Sequence, residues 1–249
     1  MHKLQRDCNR SPFCLVGADA GENIRSRLSS IGFAVVKLPP DPELSMQVCG
    51  HADLSLFFTG DAFVVRKKYA DSNNIPGLLS AGGINFPIFY SEVPAAGYPD
   101  ETALCAKFAG NRLVCRKEST DKNILQYASD KGYETVCVKQ GYASCSFAVL
   151  ADGALITGDP GIAAQALKFG IDTLKIRPGY ITLNGYGSGH DGFIGGCSGL
   201  FGDRLFFTGN ILLHPDGDKI AEFCERHATQ VCCLSEGEAV DIGGLIFVR

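Results

Sequence analysis

The chain of 249 residues has no apolar run that approaches the length needed to span a bilayer, so a membrane is not an expected partner. Its opening, MHKLQRDCNRSP, carries no apolar stretch of the kind that makes a secretory leader. A basic cluster is also missing. Lysine and arginine number 23 against 27 aspartates and glutamates, for a net charge of −4, which argues against nucleic acid as a partner. There is no Cys-x-x-Cys among the 11 cysteines, and without paired ligand spacings no metal is expected. The cysteine count is odd, and Cys14, Cys105, Cys115, Cys137, Cys224, Cys232 and Cys233 lie inside apolar strands or helix faces. They read as small buried hydrophobes of a reducing compartment, so the cytoplasm is the expected location. Thr157-Gly158-Asp159 and Thr208-Gly209-Asn210 look like phosphate loops, but both recur as helix entries of a repeat, and no cofactor is expected.

That repeat is the main positive feature. Four glycine turns, Gly60-Asp61, Gly110-Asn111, Asp152-Gly153 and Gly202-Asp203, each separate two apolar runs, at spacings of 50, 42 and 50 residues. These residues tolerate the positive φ of tight hairpins. Helix-like segments follow at Gly21–Ser30, Asp121–Ser129, Gly161–Phe169 and Asp216–His227. Apolar strands then follow at Phe33–Leu38, Phe86–Tyr90, Thr135–Val138, Thr173–Ile176 and Gln230–Leu234. In the last helix Ile220, Phe223, Cys224 and His227 share one face, and Asp216 or Asp218 can cap its start. After the first hairpin, Asn74-Ile75-Pro76-Gly77 and Gly82-Gly83 leave room for only a short helix. A fifth hairpin is cut open, with Gly244–Val248 ending the chain and Phe13–Val16 beginning it. The expectation is an α/β fold with a β-β-α-β unit repeated five times about an axis. It is a five-fold pseudosymmetric propeller closed by pairing of the terminal strands, which removes open sheet edges. All of residues 1–249 form one domain of five modules, the fifth split between the termini.

A repeat places equivalent positions side by side. Gly97-Tyr98, Gly141-Tyr142 and Gly185-Tyr186 mark returns toward the axis, 44 residues apart. They are followed by Asp100 and Glu101, by Ser144 and Cys145, and by His190 and Asp191. Gly50-His51-Ala52-Asp53 and Glu238–Gly244, with Asp241, stand at the corresponding places of the other two units. A thiol, two imidazoles and several carboxylates then line one mouth of a central channel. A cysteine attacks as its thiolate, and a nearby imidazole helps it to ionise or carries protons. Carboxylates select a cation, and a planar guanidinium suits paired oxygen acceptors. They also disfavour a thiolate until that cation binds.

These residues resemble the pentein, or guanidine-modifying enzyme, superfamily, which includes arginine deiminase, agmatine deiminase and dimethylarginine dimethylaminohydrolase. The whole chain matches its five-unit organisation. His51-Ala52-Asp53-Leu54-Ser55-Leu56-Phe57 is similar to the family's H-x-D segment. Ser144-Cys145-Ser146-Phe147-Ala148-Val149-Leu150 resembles its nucleophilic cysteine and the strand that follows, and Asp241-Ile242-Gly243-Gly244 resembles its carboxylate motif. The resemblance implies a hydrolase or transferase acting on a guanidine or amidine, with a small cationic guanidine-like molecule as its ligand. Cys145 attacks the guanidinium carbon, and His51 protonates the leaving amine and then activates water. Asp53 and Asp241 orient His51 and the guanidinium. The unit that supplies a further acid in those enzymes reads Gly192-Phe193-Ile194-Gly195-Gly196-Cys197 here. Cys197 is therefore a second candidate thiol, and His190, Asp191 and Glu101 are candidate substrate contacts. A non-catalytic pentein that binds a macromolecule or small ligand, like the ribosome anti-association factors, is the alternative, and neither the substrate nor the assembly state is specified.

Overall fold

A computed structural model describes residues 11–185 and 192–249. His190 and Asp191 lie outside the described residues. The chain forms five three-stranded sheets of one plan. The first combines Leu245–Val248, Phe13–Val16 and Ala34–Lys37. The next three are Leu56–Phe58, Phe63–Arg66 and Ile88–Ser91; Lys107–Ala109, Arg112–Cys115 and Glu134–Cys137; and Phe147–Val149, Leu155–Thr157 and Thr173–Lys175. The fifth is Ser198–Phe201, Arg204–Phe207 and Gln230–Cys233. In every sheet the middle strand runs antiparallel to the first and parallel to the third. The two ends of the chain therefore do pair, in the register Phe13 with Val248 through Val16 with Leu245.

Local chemistry explains the plan. Gly60, Gly110, Gly153 and Gly202 all sit at positive φ, between 59° and 104°, at the hairpin tips where a side chain would be strained. A parallel return needs a crossover, and a helix supplies it in each unit: Glu22–Ser30, Lys122–Asp130, Pro160–Lys168 and Gly217–Arg226 in four of them. Asp121 and Asp159 cap two of these, accepting from the N–H groups of Asn123 and Ile162 at 2.7 and 2.8 Å.

Three sequence expectations are corrected. The unit after the first hairpin carries two helices, Lys67–Asn73 and Ile75–Ala81, not one short one. Asn74, at φ 45°, absorbs the break between them, and Pro76 occupies an early helical position where its missing N–H is harmless. Asp216 stands at the start of the last helix, but its carboxylate does not cap it. It accepts instead from the backbone N–H and Nε of Arg177 and from Lys219 Nζ. These cations hold its pKa well below the carboxylate range. Finally, not all the strand cysteines are buried: Cys137 is exposed, and Cys232 and Cys233 are half-buried. Short helical turns, Ala52–Ser55 and Ala143–Ser146, lead into two of the first strands.

Five apolar clusters join neighbouring sheets. Leu15 and Val248 pack with Leu56 and Phe63, Phe57 and Val64 with Leu113 and Ile124, and Val114 and Val136 with Phe147 and Leu155. Ile156 packs with Leu205 and Phe207, and Phe206 and Leu234 pack with Cys14 and Val16 of the first sheet. The sheets are separate in hydrogen bonding, and among the described residues no sheet closes on itself. A sixth, two-stranded sheet, Thr182–Leu183 with Val240–Asp241, has no counterpart in the repeat.

The contact between the last and first sheets centres on Phe206, which is 1% exposed and meets the rings of Phe33 and Phe247 at 5.6 and 5.2 Å. Phe206→Ala is expected to lower the unfolding free energy by about 3–5 kcal/mol. Met46→Ala, at a side chain left 86% exposed, is expected to stay within about 0.5 kcal/mol. Urea denaturation of the two variants checks both values.

Candidate active site

Two helical turns and one glycine-rich turn build the site. Cys145 lies on the turn Ala143–Ser146, all four of whose residues are buried. Its Sγ donates to Asp53 Oδ2 at 2.8 Å, and Ser144 Oγ donates to the same oxygen at 3.0 Å. Asp53 rides on the turn Ala52–Ser55, and its N–H reaches Gly243 O at 3.3 Å. Cys105, at the equivalent place in the intervening unit, directs its thiol to Asp53 O at 3.8 Å.

His51 begins the same turn and is 5% exposed. Its Nδ1 is 3.7 Å from Asp241 Oδ1 and its Nε2 is 3.7 Å from Asp19 Oδ2. These are ion-pair distances, longer than hydrogen bonds. Gly243 closes against this histidine: a Cβ there would lie 2.5 Å from His51 Cα, and its φ is 75°. Asp241, 2% exposed, accepts from Phe193 N–H at 2.9 Å and Gly243 N–H at 3.1 Å. Burial raises its pKa, and the His51 charge and these donors oppose the rise.

The glycine-rich segment packs against both sides. A Cβ on Gly195 would meet Ser144 O at 2.3 Å, and one on Gly196 would meet Asp241 Oδ1 at 2.0 Å. Gly196 N–H donates to Cys145 O at 3.0 Å, and Gly196 O receives Ile242 N–H and Gly244 N–H. The glycines are thus required by the chain's own backbone and carboxylate. Cys197 is fully buried and its thiol turns to Ile194 O at 3.3 Å. Glu101 lies in the turn Asp100–Thr102, where its carboxylate accepts from the Tyr142 hydroxyl and its carbonyl from Arg66.

The thiols rest in their protonated form. The Cys105 thiol, burial and the Asp53 charge, in that order, hold the Cys145 pKa well above its ordinary value. Burial does the same for Cys197, with Asp241 adding to it. Sequence reasoning passed over Lys107, whose Nζ donates to Phe147 O at 3.3 Å. Burial pushes its pKa down, against the pull of Asp53 and the other acidic groups nearby, although part of the residue stays accessible. The available signal was a lone charge inside the apolar run Leu104-Cys105-Ala106-Lys107-Phe108-Ala109. Asp19, in the turn after the strand Phe13–Val16, and Ser198 are further members that the repeat did not single out.

A cavity of about 370 Å³ lies beside Asp53 and Ser144 and includes Gly60 of a hairpin tip, while Cys145, His51 and Asp241 are not among its lining residues. Asp53, Lys107, Ser144 and Ser198 line it, together with apolar residues of all five sheets. Asp53 Oδ1 and Ser198 Oγ are buried without a hydrogen-bond partner among the described residues. Asp53, Cys105 and Cys145 also offer ligand atoms within 4.8 Å of one another. Two thiols and a carboxylate suit zinc in kind, but the group lacks the fourth protein ligand of a structural zinc site.

A model of a family of unknown function, DUF6873, matches residues 15–246. No curated protein matches the chain. Among solved structures, agmatine deiminase of C. jejuni is similar with a TM-score of 0.59 at 7% identity, over 96% of this chain and 93% of that one. A dimethylarginine dimethylaminohydrolase, solved as an adduct with S-methyl-L-thiocitrulline, has a TM-score of 0.56 at 10% identity, over 90% and 92%. SxtG, an amidinotransferase from Microseira wollei in the saxitoxin biosynthetic pathway, has 0.54 at 8%, over 94% and 90%. At these identities the likeness is one of fold.

Two outcomes follow from the state of the thiols. Alkylation of Cys145 by iodoacetamide is expected to be slow near neutral pH and to speed up in Asp53→Asn. Removing the charge lowers the thiol pKa, and one unit is worth roughly tenfold in thiolate. Peptide mass spectrometry reads the site and rate. Second, Cys14, Cys145 and Cys197 keep their protons in the folded chain at pH values where unfolded thiols, near 9.0, lose theirs. The folded state then binds more protons, so stability is expected to fall as pH rises through 9 and above. Urea midpoints across that range check the slope, which Cys197→Ala is expected to reduce.

Proposed function

The chain belongs to the DUF6873 family and has the pentein fold, and from that premise we propose that it is a hydrolase or transferase acting on a guanidine or amidine, with Cys145 as nucleophile. One observation carries this reading: the Cys145 thiol, the Asp53 carboxylate and the His51–Asp241 pair converge from distant parts of the chain at the entries of strands that line one cavity. The similar solved structures include a deiminase, a dimethylaminohydrolase and an amidinotransferase, which supports the same kind of chemistry. The five clusters that join consecutive sheets, including last to first, support a closed ring of five modules acting as one domain.

In the proposed reaction a guanidinium enters beside Asp53 and Asp241 and offsets their charge, which lets the Cys145 thiol ionise. The thiol proton passes to His51. The thiolate forms a bond to the guanidinium carbon, and the carbon–nitrogen bond to the leaving amine breaks as that nitrogen takes the proton from His51. In the hydrolytic case a water then attacks the thiouronium carbon, giving a proton to His51. The carbon–sulfur bond breaks as His51 returns that proton to sulfur, and the protonated ureido product gives the water's second proton to solvent. Asp241 and Asp19 hold the imidazole in place between them.

Treatment with 2-chloroacetamidine tests this reading, since its amidinium brings the activating charge with it and chloride leaves as sulfur bonds to carbon. Cys145 is expected to be labelled in preference to every other cysteine and faster than by iodoacetamide. That preference is expected to disappear in His51→Ala and Asp241→Asn. Selective labelling of Cys197, or no selective labelling in the folded protein, would remove Cys145 from the role and favour a binding function for the scaffold.

A further inference from the structure

The cavity says what the guanidine carries. Asp53 and Lys107 are the only charged groups among its lining residues. Two buried oxygens of the lining, Asp53 Oδ1 and Ser198 Oγ, have no hydrogen-bond partner among the described residues. Leaving such atoms unpaired costs free energy that a ligand can recover. Both accept hydrogen bonds, and the Lys107 ammonium already donates to Phe147 O. A head group with several donors in one plane answers that pattern, and a guanidinium has five.

The rest of the lining is mostly apolar, with Phe58, Phe108, Leu200 and Phe247 beside Thr59 and Gly60. Along these aromatic and aliphatic side chains an ammonium or carboxylate on the substituent would lose hydration without gaining an ion pair. Cys145 and Cys105 are also covered by Leu44, Val48 and Ala95, none of which lines the cavity.

We propose that the ligand of this site is a guanidine bearing an uncharged alkyl or aralkyl substituent, with the guanidinium on Asp53 Oδ1 and Ser198 Oγ and the substituent lying in the cavity between the five first strands. Amino-acid guanidines and aminoalkyl guanidines are disfavoured. The proposal rests on the guanidine reading above and adds the substituent and its route. At about 370 Å³ the cavity stands near the small end of ligand pockets, which suits a short chain. Each methylene buried there strengthens binding about fourfold.

Calorimetric titration of the intact protein with hexylguanidine, arginine and agmatine tests it without needing a reactive thiol. Hexylguanidine is expected to bind at least tenfold more tightly than either of the others and to protect Cys145 from 2-chloroacetamidine. Leu200→Trp fills the cavity and is expected to abolish that preference, with circular dichroism checking the fold. Ser198→Ala deletes a hydroxyl that has no hydrogen-bond partner among the described residues, so the free protein is expected to keep its thermal midpoint while hexylguanidine affinity drops several-fold. Equal binding of agmatine or arginine, or a preference that survives both substitutions, overturns the inference even when Cys145 is labelled. Tight, Leu200-dependent hexylguanidine binding without any labelling of Cys145 upholds the cavity assignment and sinks the proposed reaction instead.

Discussion

Burial of the Asp241 carboxylate is the constraint from which the centre of the molecule follows. A charge removed from water needs donors on both oxygens, and here the backbone supplies them through Phe193 and Gly243. Both donors can approach only because the chain is bare at the right places: Gly196 lies against one carboxylate oxygen and Gly243 against His51. Of the glycines in residues 192–199, Gly192 and Gly196 pack against this acid, while Gly195 packs against the Ser144 and Phe147 carbonyls and Gly199 against Leu245. The same acid then stands at ion-pair distance from His51. The short pairing of Val240–Asp241 with Thr182–Leu183 anchors it from the other side.

Repetition turns this local arrangement into a site. Each unit enters its first strand from a turn beside the cavity, so residues two units apart in sequence become neighbours. Cys145 and Asp53 meet in this way. Cys105 of the unit between them completes a triad of ligand-type atoms. The turns are held by their own backbone and side-chain bonds, such as Ser146 Oγ to Tyr142 O at 2.7 Å, and they sit on sheets with shared cores. A site on such supports keeps its geometry without a ligand.

The resting electrostatics keep the Cys145 thiol protonated. Burial and an adjacent carboxylate both favour the thiol over the thiolate at Cys145. The structural neighbours, a deiminase, a dimethylaminohydrolase and an amidinotransferase, share the backbone plan at identities too low to carry residues across. Asp53, Lys107 and Ser198 belong to this chain's own interior, and the cavity they close is walled by its own aromatic and aliphatic side chains.

Sequence alone determined the repeat, because hairpin glycines and the alternation of strand and helix are local matters of φ, ψ and periodicity. The positive φ at Gly60, Gly110, Gly153 and Gly202 and the pairing of Phe13–Val16 with Leu245–Val248 were legible for that reason. The grouping of His51, Asp53, Cys145 and Asp241 was legible too, since equivalent positions of a repeat converge. Tertiary structure decided the rest. Asp216 reads as a helix cap in sequence, yet Arg177, from another unit, claims its carboxylate. Lys107 is a lone charge in an apolar run, and only the tertiary packing shows it desolvated within reach of the Asp53 charge. At Gly195 and Gly196 the closely approaching atoms are Ser144 O and Asp241 Oδ1, from segments distant in sequence. Through-space desolvation and close backbone contact depend on which distant segments meet, and no local pattern encodes that.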